Sequence, residues 1–307
     1  MSLACGLVRI GIFAGHVANG PIEKVVAAAR AAADDGFPTF WLPQIFGMDA
    51  LTALAVAGHA VPDIELGTAV VPTYPRHPVV MAQQALTTQS IVGGRLVLGI
   101  GLSHQPVIEH MFGLSFDKPL RHMREYLEVL MPLVRGEAAS YQGETISTNI
   151  AVDVKGAAPV PVLLAALGPK MLELAGRVAD GTATWMTGPA TIADHIVPTI
   201  SAAAEAAGRP APRVGVGLPV CVTDDVAAAR TGAAELFAMY GTLPSYRAML
   251  DREGADGPAD VAVVGAEETV RGELEHLFSI GATDFVANIF GSPEERDQTR
   301  SFLQTLL

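Results

Sequence analysis

Eight short apolar runs recur along the 307-residue sequence, and their spacing constrains the possible folds more than any other feature. The runs are rich in β-branched and aromatic residues: Leu7–Phe13, Thr39–Leu42, Ile64–Val71, Arg95–Ile100, Val160–Ala165, Thr182–Met186, Arg213–Val222 and Asp284–Ile289. Near-continuous apolar character is typical of parallel strands that are covered on both faces. The starts of the runs are 32, 25, 31, 65, 22, 31 and 71 residues apart. A gap of about 30 residues accommodates a strand, a crossover helix and two short loops.

Helical patterns fill the gaps between these runs. The first begins at Pro21 and closes at Gly36, which follows the preference for proline at helix starts and glycine at helix ends. Further helices are predicted at Pro78–Val92, Pro169–Ala179, Asp224–Tyr240, Thr269–Ser279 and Pro293–Leu306. The alternation predicts the α/β class, and eight runs favour one TIM-type (β/α)8 barrel domain over residues 1–307. A doubly wound sheet shares the alternation and is the alternative.

Two gaps are about twice as long as the others and predict insertions after strands 4 and 7, at about 101–159 and 241–265. The first contains a predicted helix, Pro119–Arg135, and a β-prone stretch, Ser140–Val154. The second contains the Gly- and Pro-rich segment Gly241–Pro258 and the run Val261–Val264. Loops after barrel strands lie at the catalytic mouth, so these insertions are expected to shape a pocket or a lid. A dimerisation arm or a mobile surface loop is the alternative.

The amino-acid composition limits which binding partners and which cellular compartment are expected. The sequence has 20 Lys+Arg against 32 Asp+Glu, a formal net charge of -12, which argues against nucleic acid or an anionic membrane and leaves small molecules. Only Cys5 and Cys221 occur, too few for a disulfide scaffold, so a reducing, cytoplasmic location is expected. No apolar stretch reaches the ~18 residues of a membrane span.

Several common catalytic motifs are absent from the sequence. Gly99-Ile100-Gly101 lacks the third glycine of a dinucleotide fingerprint, and Gly215-Val216-Gly217 is followed by no predicted helix. There is no Walker A sequence, no HExxH zinc motif and no GxSxG nucleophile elbow. The sequence therefore predicts no metal site and no serine-hydrolase chemistry.

Polar residues instead follow the predicted strands, where a barrel would gather them at one mouth. They are His16 after the first strand, Pro43 and Gln44 after the second, Thr73–His77 after the third, Ser103–Gln105 after the fourth, Leu167–Lys170 after the fifth, and Thr187–Pro189 after the sixth. A histidine at this mouth could move a proton or hydrogen-bond a substrate oxygen. A solvated or structurally bonded imidazole is the alternative for each one taken singly.

Gly168-Pro169 is a candidate phosphate cradle. It ends a predicted strand and begins a predicted helix, with Pro169 at the first helical position. Backbone N–H groups and the helix dipole at such a start favour an anion, and Lys170 could add a charge. An ordinary Gly-Pro turn is the alternative.

Three segments, in this order, resemble the luciferase-like flavin- or deazaflavin-dependent oxidoreductases: Gly67–Val71 before Pro78–Gln83, then Arg95–Gly101, then Ala175–Gly181. The resemblance covers nearly the whole chain and is greatest to the branch that uses coenzyme F420, a 5-deazaflavin. It implies a barrel, a homodimer and F420 as cofactor, with FMN as the alternative.

The resemblance also implies which residues hold the cofactor. A bulge at Thr68, Ala69 and Val70, with a cis peptide bond between Ala69 and Val70, would press against its ring. Leu167 and Gly168 would hold its phosphate through the backbone, next to Pro169 and Lys170. Arg76, Lys170 and Arg177 are the candidate cations for an acidic cofactor tail. His104 follows the fourth strand, on the reactive face of the ring.

The sequence departs from the relatives that oxidise sugar phosphates. Those relatives have an acid–histidine pair after strand two, where this chain has Gln44 and Ile45, and an acidic residue at the position of His104. Oxidation of a sugar phosphate by that route is therefore not expected.

The resulting hypothesis is a hydride-transferring oxidoreductase acting on a small organic substrate. His104 would donate or accept the proton, and His16 and Gln44 would orient the substrate. An FMN-dependent monooxygenase and a non-catalytic flavin-binding barrel are the two alternatives.

Overall fold

The computed structural model describes residues 9–307 and contains a closed parallel barrel, which confirms the (β/α)8 fold and excludes the doubly wound sheet. Each barrel strand pairs in parallel with the next, and the last pairs with the first. The barrel strands are β1 (Arg9–Phe13), β2 (Thr39–Leu42), β3 (Glu65–Thr68), β5 (Leu96–Gly101), β8 (Val162–Leu164), β9 (Gly181–Trp185), β10 (Arg213–Val222) and β12 (Asp284–Ile289).

Each of these strands lies within or overlaps one of the eight predicted runs. Leu7 and Val8, the start of the first run, lie outside the described residues, as does Cys5. Buried side chains occupy most strand positions because helices cover the outside of the barrel and side chains fill its inside.

The helices are α1 (Ile22–Asp34), α2 (Ala50–Ala60), α3 (Pro78–Ile91), α4 (Pro119–Val134), α5 (Pro169–Val178), α6 (Pro189–Thr191), α7 (Val197–Ala206), α8 (Val226–Leu236), α9 (Pro244–Glu253), α10 (Glu267–Ser279) and α11 (Pro293–Gln304). The predicted helices are confirmed, and α2, α6, α7 and α9 add to them. A π-helical turn, Ile192–Ile196, joins α6 to α7. Within residues 9–307, no helix combines the length and the apolar character that a membrane crossing needs.

The first long gap contains α4 and an antiparallel hairpin of β6 (Ala139–Gln142) and β7 (Ser147–Ile150), as the helical and β-prone patterns predict. The buried carboxylate of Glu125 on α4 anchors the hairpin tip. It accepts hydrogen bonds from the N–H groups of Glu144, Thr145 and Ile146 at 3.1, 2.8 and 3.0 Å. The tip is thereby held beside the first half of α4, at the mouth end of that helix.

Two short strands extend the sheet beyond the barrel wall. β4 (Val71–Pro72) pairs with the end of β5, and β11 (Val263–Gly265) pairs with the end of β10. The second long gap holds α8, α9 and β11, and these follow a strand end, as expected for an insertion at the mouth.

The barrel interior is a packed core. At its base, Arg9, Glu65, Arg213 and Asp284 form a network of ion pairs at 2.5 to 3.0 Å. Above them lies a layer of Trp41, Val97, Leu163 and Val286, with Phe13, Ala69 and Ala183 packed against that layer.

Candidate active site at the barrel mouth

The third barrel strand ends in a bulge at the mouth. The peptide bond between Ala69 and Val70 is cis, as the family resemblance implies, and both residues are partly exposed there. The hydroxyl of Thr68 is buried instead: it donates to the carbonyl of Gly99 at 2.7 Å and accepts from its N–H at 2.9 Å. The Thr68 side chain therefore links β3 to β5 and does not face the mouth. A Cβ at Gly99 would lie 1.9 Å from the Thr68 carbonyl oxygen, so only glycine permits this approach.

The helix start predicted at Gly168-Pro169, the candidate phosphate cradle, is present and open. Gly168 is the N-cap of α5 and is exposed, and within residues 9–307 no side chain caps this helix. A Cβ built on Gly168 would meet no atom within 4 Å, so there is room for a group in front of the first turn. Lys170 is exposed beside it. The arrangement is suited to an anion.

A buried histidine holds the backbone of this cradle. The Nε2 of His195, in the π-helical turn before α7, lies 2.8 Å from the carbonyl oxygen of Leu167. The carbonyl can only accept, so Nε2 carries the hydrogen. His195 was not predicted as a site residue, because its contact with Leu167 joins two strand-end segments 28 residues apart.

A second Gly-Pro helix start lies one strand further round the barrel and is already filled. Gly188-Pro189 begins α6, and the carboxylate of Glu253, at the end of α9, accepts from Ala190 N at 3.0 Å and Thr191 N at 2.7 Å. A Cβ on Gly188 would lie 2.4 Å from that carboxyl group. The comparison shows that only the Gly168 start, of these two, has space for an external anion.

His104 lies in the turn between β5 and the following π-helical segment. It is half-buried, and burial lowers the pKa of its imidazole below the ordinary value. Its ring centroid is 5.6 Å from that of Tyr246, in the insertion after β10. The preceding residue, Ser103, has φ 61°, a backbone conformation that non-glycine residues seldom adopt. The lowered pKa of His104 favours the neutral imidazole, which can accept a proton.

The structure assigns different surroundings to His16 and Gln44. His16 lies in the turn after β1, and partial desolvation, together with Arg296 and Arg300, lowers the pKa of its imidazole. The Oε1 of Gln44 accepts a hydrogen bond from Ala50 N at 3.0 Å, so the Gln44 side chain caps α2. Substrate orientation by either residue stays a prediction.

Two of the candidate cations lie away from the cradle. Arg177 is in the last turn of α5, nine residues beyond Gly168 and roughly 13 Å along the helix axis. It lines a 240 Å³ groove between α4 and α5 with Arg124 and Arg209. Helical geometry therefore places Arg177 away from the cradle, and its role toward an acidic cofactor tail stays a prediction. Arg76 pairs with Asp49 and donates to Gln84 at 3.0 Å, which leaves Lys170 as the cation at the cradle.

A group of aromatic side chains at the mouth was missed by the sequence analysis. The members that contact one another lie at the ends of β1, β9 and β12 or in the insertion after β10: Phe13, Trp185, Phe237, Tyr240, Tyr246 and Phe290. Phe13 and Trp185 lie at the ends of strands that the sequence predicts, and Phe290 directly follows another, so these three could have been found from their position. The other members depend on how the insertion folds back.

A cavity of about 460 Å³ opens beside the loops that follow β4 and β5. Tyr74 stacks on His122 with ring centroids 3.9 Å apart, and His122 Nε2 lies 3.0 Å from Thr73 Oγ1. Burial lowers the pKa of His122 to about 4, against the opposing charge of Glu125. The hydroxyls of Tyr74 and Tyr126 are buried and have no hydrogen-bond partner within the described residues.

Comparison with known proteins places the chain in a family. Residues 7–295 match the family described as Luciferase-like monooxygenase. The chain is 30% identical over 284 residues to a 5,10-methylenetetrahydromethanopterin reductase of Methanolobus tindarius, with 91% of this chain and 86% of that protein covered.

Solved structures agree on the fold. The coenzyme F420 dependent tetrahydromethanopterin reductase from Methanopyrus kandleri superposes with a TM-score of 0.81 at 22% identity, covering 98% of this chain and 99% of that one. The FMN complex of the oxygenating constituent of 3,6-diketocamphane monooxygenase, from Pseudomonas putida, has a TM-score of 0.76 at 17% identity, covering 97% and 96%. The barrel, its open Gly168 cradle and the family match over residues 7–295 lead to one conclusion: this chain belongs to the luciferase-like monooxygenase family.

Proposed function

We propose that this protein is an oxidoreductase that transfers a hydride between coenzyme F420 and a small organic substrate. The observation that carries the proposal is the open N-terminus of α5, where Gly168 leaves space that the equivalent start at Gly188 fills with the Glu253 carboxylate. A phosphate-bearing cofactor fits that space. When bound, the deazaflavin would donate or accept the hydride. The chain's own residues would hold the cofactor and move the proton.

The residues fall into holding and proton-moving roles. The N–H groups at the start of α5 and the Lys170 ammonium would hold the phosphate, while His195 fixes the Leu167 carbonyl behind it. Ala69 and Val70 are partly exposed after β3, which lies two strands from β8 around the barrel, and they would support the cofactor ring. The neutral imidazole of His104 would accept the hydroxyl proton of an alcohol, or return it when a carbonyl is reduced.

F420 is favoured over FMN by two of the reductases that the chain resembles. The relative at 30% identity is a methylenetetrahydromethanopterin reductase, and the solved reductase of similar name is described as coenzyme F420 dependent. Both lines point to an enzyme, which leaves the non-catalytic barrel without support. The FMN-dependent monooxygenase remains the second candidate because an FMN complex shares the fold and a phosphate cradle would serve either cofactor.

A matched pair of substitutions tests the cradle. Gly168→Asp places a capping carboxylate where the phosphate would lie, and Ala266→Asp adds the same cap to α10. The two positions are both helix N-caps with similar backbones, φ −75° and ψ 151° against φ −63° and ψ 161°. Ala266→Asp should stabilise its helix by ~1 kcal/mol, and Gly168→Asp by only a few tenths of a kcal/mol because glycine is already a tolerated N-cap.

Fluorescence titrations with F420 and, separately, with FMN then measure the affinity of each variant for the two cofactors. We expect F420 to bind more tightly than FMN, and Gly168→Asp to weaken F420 binding by about a hundredfold or more through charge repulsion and lost N–H donors. Ala266→Asp should bind as the unmodified protein does. Tighter binding of FMN would favour the monooxygenase, and unchanged F420 binding in Gly168→Asp would refute the cradle.

The role of His104 is tested by its pH profile. Because burial lowers its pKa, the neutral base persists below the ordinary histidine range, so alcohol oxidation should decline only when the pH falls below about 6.5. His104→Ala should lower the rate by about a hundredfold and remove this acidic limb. An unchanged pH profile in the variant would show that the proton goes elsewhere. The homodimer and the cytoplasmic location remain predictions.

A further inference from the structure

The barrel mouth divides into two halves of different chemistry. Around the barrel, the proposed cofactor residues follow β3, β5 and β8, which are adjacent. The contacting aromatic side chains come from the opposite half, formed by β9, β10, β12 and β1: Phe13, Trp185, Phe237, Tyr240, Tyr246 and Phe290. A cofactor placed on the first half would have this aromatic half next to it.

The aromatic rings form a continuous path that ends at the proposed proton carrier. Centroid distances are 5.5 Å from Phe13 to Trp185, 5.7 Å from Trp185 to Tyr240 and 5.3 Å from Tyr240 to Tyr246. The last step, from Tyr246 to His104, is 5.6 Å. His104 therefore lies where the aromatic half meets the cofactor half.

Glycines hold the two rings at the barrel wall in place. A Cβ at Gly15 would lie 2.6 Å from the ring of Phe13, and one at Gly217 would lie 3.0 Å from the ring of Trp185. Both side chains are half-buried. Rings fixed in this way offer contact area to a ligand at low entropic cost.

The charged groups near the aromatic half are engaged elsewhere. The Glu253 carboxylate accepts from the backbone at the start of α6, and the Glu295 carboxylate accepts from Ser292 N at 2.8 Å. Arg296 donates to the carbonyl of Gly291 at 3.1 Å, and Arg300 pairs with Asp35. These residues offer no free carboxylate, and Arg300 Nη2, which has no partner within the described residues, is buried, so desolvation of a charged ligand group would be uncompensated.

Apolar side chains also surround the entrance. Several of the large hydrophobic residues that are exposed in the described chain lie in the segments after β2, β5 and β10, among them Ile45, Phe46, Met111, Phe112, Leu114, Leu236 and Met239. Exposed apolar groups concentrated around a mouth indicate binding of an apolar molecule.

We infer that the substrate is a neutral, ring-bearing alcohol or carbonyl compound, bound with its ring in the aromatic half and its oxygen at His104. This inference rests on the proposed function. In the oxidising direction the hydroxyl proton passes to the imidazole, the carbinol carbon loses a hydride to oxidised F420, and a C=O bond forms. The substrate loses two electrons, the cofactor gains them, and reduction of the carbonyl is the reverse.

Binding is measured directly, on the full-length protein, with 4-phenyl-2-butanone as the neutral probe and its ring-carboxylated derivative as the charged one. The sequence has two tryptophans, and Trp41 is buried in the barrel interior, so ligand quenching reports on Trp185. We expect saturable quenching by the neutral ketone that is absent in Trp185→Phe. The carboxylated probe should bind at least about tenfold more weakly.

Calorimetry with the same ketone separates the aromatic half from the rest of the surface. Tyr246→Ala should weaken binding by about tenfold, the loss of one aromatic contact, while Tyr141→Ala on the distant hairpin should not change it. Equal binding of the charged probe, or equal binding to Tyr246→Ala, would overturn the inference.

Repeating the titrations with and without F420 separates this inference from the proposed function. Ketone binding without any F420 binding would support the ligand class and refute the cofactor. F420 binding without ketone binding would support the cofactor and refute the ligand class.

Discussion

At the base of the barrel, Arg9, Glu65, Arg213 and Asp284 satisfy one another in a closed set of ion pairs. At the mouth, carboxylates such as Glu125 and Glu253 are held by backbone N–H groups with no cation in their hydrogen-bond sets. Also near the mouth, the hydroxyls of Tyr74 and Tyr126 are buried and unpartnered within residues 9–307.

This difference separates stability from binding. Opposite charges contributed by the starts of four strands hold the base together, and Arg213 also lies over the ring of Trp41 at 5.5 Å. At the mouth, by contrast, some polar atoms, several aromatic rings and the open start of α5 are not fully paired within the protein. In (β/α)8 enzymes the carboxyl ends of the strands carry the chemistry, and the opposite face carries stability.

Asp284→Asn is the substitution with the largest expected effect. Burial alone would raise the pKa of Asp284, but hydrogen bonds and charge from Arg213, with Thr283 and Arg9, lower it. Removing the charge should lower the free energy of unfolding by about 3 kcal/mol, the low end for a buried pair because Glu65 still pairs with both arginines. Urea denaturation measures the loss.

The control for this variant is Glu65→Gln. Its carboxylate is 28% exposed, against 1% for Asp284, so the expected loss is ~1 kcal/mol. F420 binding should be unchanged in both variants. An Asp284→Asn protein with full stability but weakened cofactor binding would contradict the division between base and mouth.

Glu125→Gln tests a carboxylate of the mouth region. Burial alone would raise the pKa of Glu125, but hydrogen bonds from Thr145, Glu144 and Ile146 lower it to about 2. A Gln amide would turn an NH2 group toward some of these N–H donors, so we expect a loss of about 2 kcal/mol. Protease cleavage should increase at the hairpin tip.

The sign of the pH effect follows from the lowered pKa. The contribution of Glu125 to stability is complete above about pH 4.5, its ordinary pKa, and is lost as the pH falls toward 2. The stability difference between Glu125→Gln and the unmodified protein should therefore shrink over that range. A difference that stays constant down to pH 2 would show that the carboxylate charge does not hold the tip.

The barrel could be predicted from sequence because each strand is a local apolar run and each helix has local start and stop signals. The cradle at Gly168 was found for the same reason. Contacts between distant residues were not predictable in this way: Glu253 reaches Ala190 across 63 residues, and Arg9 meets Asp284 across 275.

Spacing along one helix, by contrast, already shows that Arg177 lies away from the cradle at Gly168. Nine residues of α5 separate it from Gly168, so a helix predicted from Pro169 could not bring both to one phosphate. The hydroxyl of Thr68 and the amide of Gln44 illustrate a different limit. Both residues were correctly placed near strand ends, but their polar atoms complete the scaffold, bonding Gly99 and Ala50. The position of a residue in the sequence predicts which strand end it lies near. Only the three-dimensional structure shows whether its polar atoms are already hydrogen-bonded.

Tyr126→Phe has the smallest expected effect on stability, and it should raise the free energy of unfolding where the other substitutions lower it. The Tyr126 side chain is fully buried beside the 460 Å³ cavity, and its hydroxyl has no partner within the described residues. Removing a buried hydroxyl that lacks a partner should raise stability by ~1 kcal/mol, whereas removing a bonded one lowers it. Tyr141→Phe, at a partly exposed tyrosine, should change stability by less than about 0.5 kcal/mol. A rise in the thermal midpoint of Tyr126→Phe alone would show that the mouth retains an unsatisfied donor at a cost in stability. A fall would mean that this hydroxyl is bonded in solution, and that the mouth is as fully satisfied there as the base.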